Sequence, residues 1–237
     1  MTKRRSWLVV PASKPELIER AARAGADVVV VDLAEFVVEA DRESARDGFA
    51  GALKAAAANG AEVFAQVDPT ALHHDLHACV QPGLAGIVVT RAESAGEIAE
   101  ADAMQSKLEA ERGIAAGTIE IVPALETARG NHAAYEIATA SKRVVGLTLG
   151  RADLIMDLRP EPSGEIHLLP YLMQRLIVVA VAAGVTPLGA WWRGTDRGLY
   201  ATADNTLAAA QRGRAIGFKG AFCMVDPQVA ALNRAFN

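Results

Sequence analysis

The chain has 237 residues, 51% of them hydrophobic but only 5% aromatic, and carries a formal net charge of -4. That length suits one large α/β domain with an aliphatic, alanine-rich core, and the acidic balance argues against nucleic acid or an anionic membrane as partner. Two cysteines, Cys79 and Cys223, are too few for a disulfide framework or a structural zinc site and read as buried thiols in a reducing compartment.

The start, Met1-Thr2-Lys3-Arg4-Arg5, is basic, but the apolar run behind it spans only residues 7–10 before Pro11, too short for a signal peptide. No stretch approaches the roughly 20 uninterrupted apolar residues of a membrane helix, so a cytoplasmic protein is expected. From there, strand-like and helix-like segments alternate. Strands are expected at residues 7–10, 27–31, 62–67, 86–89, 119–125, 144–149, 186–190 and 220–224. Helices are expected at 15–24, 42–58, 95–111, 168–183 and 202–216, all rich in Ala, Leu, Glu, Arg and Lys. His73, His74 and His77 fall in a further amphipathic helix. Their spacing invites a zinc reading, but no glutamate stands where a zinc protease needs one. A Pro/Gly/Ser loop, residues 159–164, follows the sixth strand, where barrels keep their lids.

Runs this uniformly apolar belong to parallel strands covered by helices on both faces. Eight of them predict a (β/α)8 TIM barrel, α/β in class, forming a single domain over residues 1–237. A doubly wound open sheet produces the same alternation; the count of eight favours the barrel.

In such folds polar groups surface where strands stop, at their carboxyl ends. Those positions hold Asp32 and Glu35, Gln66 and Asp68, Thr90 and Arg91, Glu126 and Arg129, and Arg151 and Asp153. Glu126 and Asp153 close the fifth and sixth runs and are the candidate metal ligands. Hard carboxylate oxygens without a neighbouring histidine suit Mg²⁺ or Mn²⁺ better than Zn²⁺. Each of these carboxylates has a simpler alternative as the cap of a following helix. Trp191-Trp192 after the seventh strand can line a pocket or a subunit interface. The glycines of Gly194-Thr195-Asp196-Arg197-Gly198 lack the strand and helix that a dinucleotide site needs.

Four stretches carry a family resemblance, in matching order and spacing: Arg5-Ser6-Trp7-Leu8-Val9-Val10-Pro11, Gly25-Ala26-Asp27-Val28-Val29-Val30-Val31-Asp32-Leu33, Leu125-Glu126-Thr127-Ala128-Arg129-Gly130 and Gly150-Arg151-Ala152-Asp153-Leu154. With Gly217-Phe218-Lys219-Gly220, Pro227-Gln228, Asn233 and Phe236, the chain resembles the citrate lyase β-subunit-like branch of the HpcH/HpaI aldolases over nearly its whole length. The resemblance implies a barrel that binds Mg²⁺ through Glu126 and Asp153, with Asp32 and Glu35 ordering its waters. It also implies cleavage or formation of carbon–carbon bonds in a 2-oxo or hydroxy acid, or in an acyl-CoA thioester of the citryl-, malyl- or citramalyl-CoA kind. Arg5, Gln66 and the turn Gly150-Arg151-Ala152 would contact the substrate, and a homo-oligomer, trimer or hexamer, is expected.

Departures from the family pattern gather on the same face. Asp32-Leu33-Ala34-Glu35 stands for Asp-Leu-Glu-Asp, Gln66-Val67-Asp68 for Arg-Val-Asn, Thr90-Arg91 for Pro-Lys, and Asp226 for a histidine. A barrel without the C-terminal lid extension of longer acyl-CoA lyases is expected, which makes a free acid as plausible as a thioester. No residue stands out as the general base. A competing reading follows: a catalytically impaired relative serving as a metal- or ligand-binding or assembly subunit. A barrel for phosphorylated sugars is disfavoured, because no glycine-rich phosphate turn follows the seventh or eighth strand.

Overall fold

Valine- and isoleucine-rich runs with no polar face cannot lie on a surface, and each of the eight becomes a strand buried on both sides. The computed structural model describes residues 3–159, 165–189 and 202–237, with 151–153 and 165–168 described in backbone only. The strands are β1 (Ser6–Pro11), β2 (Val28–Asp32), β3 (Glu62–Val67), β4 (Gly86–Val89), β5 (Glu120–Pro123), β6 (Gly146–Leu147), β7 (Thr186–Gly189) and β8 (Gly220–Cys223). Between and after them run α1 (Pro15–Arg23), α2 (Arg42–Asp47), α3 (Phe49–Ala56), α4 (Leu72–Cys79), α5 (Ala95–Glu111), α6 (Ala128–His132), α7 (Ala134–Thr139), α8 (Arg151–Leu158), α9 (Glu165–Ala183), α10 (Ala203–Ile216) and α11 (Asp226–Ala235).

The strand pairings among the described residues are parallel, in the order β5-β4-β3-β2-β1-β8-β7-β6. The ring then closes between β5 and β6 through bridges at Ile121–Val144 and Ala124–Thr148. Four main-chain hydrogen bonds span that seam, among them Leu125 N–H to the Thr148 carbonyl at 2.9 Å. An open doubly wound sheet has no such seam; this is the expected (β/α)8 barrel.

Strand parity divides the core in two. Trp7, Val9, Val28, Val30, Phe64, Val88, Val122, Ala124, Leu188 and Phe222 fill the barrel. The alternate residues, such as Leu8, Val29, Val31, Ile87, Ile121 and Leu147, pack under the helices. At the amino end the Trp7 ring stands edge-on to Phe64, centroids 4.7 Å apart, and stacks on Phe222 at 5.1 Å. The barrel is therefore plugged at its base, and continuing the inward parity upward reaches Asp32, Gln66, Thr90, Glu126 and Thr148 at the other mouth.

One expectation is corrected in detail: the helix expected over residues 42–58 is two, α2 and α3, separated at Gly48. The short helix α8 lies between β6 and the loop expected at residues 159–164, in a stretch for which no element was expected. Residues 160–164 of that loop, Trp191-Trp192 and Gly194–Gly198 lie outside the described residues. Cys79 and Cys223 are buried free thiols, and burial pushes both thiol pKa values up. No helix among the described residues is long and apolar enough to cross a membrane.

Candidate active site at the carboxyl mouth of the barrel

Glu126 comes three residues after β5, at the next inward position above Val122 and Ala124. Its side chain is only 7% exposed. Oε2 accepts a hydrogen bond from the Arg91 main-chain N–H at 2.8 Å. Arg91 reaches this position with φ of 47°, a left-handed backbone rare outside glycine. On its other side the carboxyl group lies against Gly150, where a Cβ would fall 2.3 Å from Oε1. A side chain at position 150 would displace Glu126 from this place, so the glycine at the end of the sixth run leaves room for it.

Gly150 is also the N-cap of α8, and Leu154 N–H returns to its carbonyl at 3.2 Å. Arg151, Ala152 and Asp153 thus form the first turn of α8. That turn is tied down by Asp157, one helical turn beyond Asp153, whose Oδ2 accepts from Ala128 N–H at 2.6 Å. Thr127 caps the same helix, α6, by accepting from Gly130 N–H at 3.0 Å. The two candidate ligand positions are consequently brought together by backbone: Glu126 against the residue that begins the turn containing Asp153.

At the end of β2, Asp32 is 0% exposed. Oδ1 accepts from the N–H groups of Ala34 and Glu35 at 3.1 and 3.2 Å, and Oδ2 from Phe36 at 2.7 Å. Burial nevertheless dominates those stabilising hydrogen bonds and pushes its carboxyl up to about 6. Gln66 is 5% exposed and hydrogen-bonds Asp32 as well as donating from Nε2 to Glu35 Oε2 at 3.3 Å. Asp32, Glu35 and Gln66 therefore form one cluster on β2 and β3. Thr90 donates its hydroxyl to the Val67 carbonyl at 3.1 Å.

Comparison with known proteins connects this mouth to a family. The pattern of the HpcH/HpaI aldolase/citrate lyase family matches residues 5–225. The chain belongs to that family. The citrate lyase subunit beta of Haemophilus influenzae is 28% identical over 242 residues, covering 100% of this chain and 80% of that protein. The citrate lyase subunit beta of Leuconostoc mesenteroides subsp. cremoris is 29% identical over 185 residues, covering 77% of this chain and 61% of its own length. Among solved structures, the citrate lyase beta subunit from M. tuberculosis, complexed with oxaloacetate and magnesium, superposes with a TM-score of 0.77, at 26% identity over 100% of both chains.

Within this family of lyases, several residues of the chain singled out in the sequence are engaged outside the polar layer. Arg5, expected to meet substrate, precedes β1 and so lies at the opposite, amino-terminal end. There its guanidinium makes two 2.8 Å hydrogen bonds with Asp27. Arg129 is turned outward, 77% exposed beside Glu93. Asp68 caps the following turn by accepting from Thr70 N–H at 2.9 Å, and Asp226 pairs with Arg20 across the surface. His73 and His77 stack, centroids 4.6 Å apart. No group of three or more His, Cys, Asp or Glu among the described residues could hold a metal ion. Two contributors escaped the sequence reading: the Arg91 main-chain N–H, which no side-chain pattern announces, and Thr148, visible only as a polar residue inside an apolar run.

Proposed function

We propose that the chain is a Mg²⁺-dependent carbon–carbon lyase of the aldolase or Claisen type, acting on a small 2-oxo or hydroxy acid or its CoA thioester. One observation carries the reading: Glu126 is held against Gly150, at the head of the turn containing Asp153, in the polar layer at the carboxyl mouth of the barrel. The donors fit a hard divalent cation, being carboxylate oxygens from two chain segments. Glu126 and Asp153 would hold it, with Asp32 and Glu35 ordering its waters; bound there, the ion would stabilise negative charge on the oxygen next to the breaking bond. Mn²⁺ has the same preference for oxygen and is expected to substitute. The oxaloacetate and magnesium held by the M. tuberculosis relative support both the metal and the substrate class.

The chain's own residues then have separate tasks. Arg91 N–H fixes one oxygen of Glu126, so its carboxyl is oriented before any ligand arrives. Gln66 bridges Asp32 and Glu35 and offers an amide, not a fixed charge, to the substrate. Main-chain N–H groups from Gly150 through Ala152, at the start of α8, are suited to a substrate carboxylate. Outward on α9, Tyr171, Val178 and Val181 are 59%, 67% and 68% exposed, which supports a homo-oligomer.

A second reading is favoured by a specific feature: none of the described inward side chains of this layer is cationic. With Gln66 where the family pattern has arginine, the chain would bind metal and acid without turnover, as a binding or assembly subunit. Thermal denaturation with Mg²⁺ or Mn²⁺, with and without oxaloacetate or pyruvate, tests the site on the parent and on Glu126→Ala. Saturation at about 100 times Kd should stabilise the parent by roughly 2.7 kcal/mol. That gain should need both metal and acid and vanish in the variant; equal gains in both proteins would remove Glu126 from the site. Product analysis on the responding acid then separates lyase from binding subunit.

A further inference from the structure

One hydroxyl in the polar layer has no hydrogen-bond partner among the described residues despite its burial. Thr148 follows β6 and is 4% exposed. Its main chain is fully engaged: the N–H donates to the Pro123 carbonyl at 3.1 Å, and the carbonyl accepts from Leu125 N–H at 2.9 Å. Its Oγ1 is buried and has no hydrogen-bond partner among the described residues.

The direction of this side chain follows from parity. Leu147 and Leu149, on either side, belong to the core beneath the helices. A Cβ at Gly146 would meet Leu188, an inner-barrel residue, and a Cβ at Gly150 would meet Glu126. Thr148 shares their parity, so it faces the barrel interior, one pleat below Gly150. Across the seam its bridge partner is Ala124, which presents only a methyl group.

A buried hydroxyl with no partner forfeits its hydration without recovering a bond, and native structures seldom keep one without a use. Valine fills the same volume without that loss. We infer that Thr148 is a specificity-determining residue of this site, its hydroxyl donating a hydrogen bond to an oxygen of a small oxo or hydroxy acid seated at the mouth. The inference rests on the lyase-site reading above and narrows it. A site that hydrogen-bonds a substrate oxygen rejects analogues lacking it far more strongly than an apolar floor can. The preferred substrates therefore carry a carbonyl, hydroxyl or carboxylate oxygen on the part that reaches the floor.

The test is calorimetric titration of oxaloacetate, with Mg²⁺ present, into the parent, Thr148→Ser and Thr148→Val. Serine should bind within about twofold of the parent, and valine about tenfold or more weakly, the effect of losing a hydrogen bond to a charged group. The unliganded melting temperature of the valine variant should equal or exceed that of the parent. Valine binding within twofold of the parent overturns the inference, as does a lowered melting temperature with unchanged binding, which marks a buried water in that place. If valine fails to fold, Thr148→Ala replaces it in the comparison with serine. A parent that binds neither oxaloacetate nor pyruvate with metal overturns the lyase-site reading and this inference with it, an outcome distinct from the failure of Thr148 alone.

Discussion

Asp32 carries an electrostatic cost that the fold sustains at neutral pH. Three main-chain N–H groups favour its charged form, but with no exposed surface the carboxyl remains raised from 3.8 to about 6. The folded chain therefore binds a proton between those values that the unfolded chain has released. Its contribution to stability is present in full below about pH 3.8 and is lost as pH rises through about 6, a swing of about 3 kcal/mol. Asp32→Asn removes the titration, so urea unfolding should show the variant gaining on the parent by about 2–3 kcal/mol between pH 4 and pH 7. A difference between the two proteins that does not change with pH would mean that Asp32 titrates normally. At this scale the sequence was legible where a residue's place on a strand determined its position, as for Glu126, Gly150 and Gln66 at the carboxyl mouth. Arg5 misled because a family motif was weighed above its position: a residue that precedes a strand stands at the amino end, away from the mouth. Thr148 was overlooked because its parity becomes visible only once the strand is placed in a closed ring.

The elements that hold the site differ in how firmly their sequences announce them. Strands buried on both faces were read to within a few residues, since nothing but a central strand tolerates Val28-Val29-Val30-Val31. Helix α5 spans the residues expected, 95–111, and Ser94 and Glu97 form a capping box at its start. Helix α8 was not expected, since its first turn rests on a glycine cap without a side-chain hydrogen bond and its placement depends on a tertiary contact. That contact is the Asp157 carboxylate on the exposed Ala128 N–H at the start of α6. It couples the helix carrying Asp153 to the segment carrying Glu126, so its loss should act on both stability and metal binding. Asp157→Ala should cost about 1 kcal/mol of unfolding free energy, like the loss of a helix cap. It should also weaken Mg²⁺-dependent stabilisation, while Asp157→Asn, which keeps an acceptor oxygen, should recover most of both. Loss of stability with metal affinity unchanged would show that α8 is positioned without this tie.

Across the whole barrel, the end that holds it together is separate from the end that carries the proposed chemistry. The base is closed by Trp7, Phe64 and Phe222, with the Arg4 guanidinium 5.1 Å from the Phe64 ring and paired to Glu62 and Glu120. The polar layer begins at the level where Pro11 pairs with Asp32, four residues along β1 from Trp7 and so about 13 Å away. This separation was foreseeable from eight apolar runs ending in polar residues, but the aromatic plug was not, because Trp7, Phe64 and Phe222 are far apart in sequence and meet only on closure. Trp7 is 1% exposed, and truncating it opens a cavity that two packed rings cannot fill. Trp7→Ala should therefore lower unfolding free energy by about 3–5 kcal/mol, read from urea denaturation. Provided the variant stays folded, the added stability from Mg²⁺ and oxaloacetate should match the parent's to within about 0.5 kcal/mol, as expected for distant independent sites. A diminished ligand response would show that the plug sets the geometry of the mouth, making the two ends of the barrel one cooperative structure instead of two.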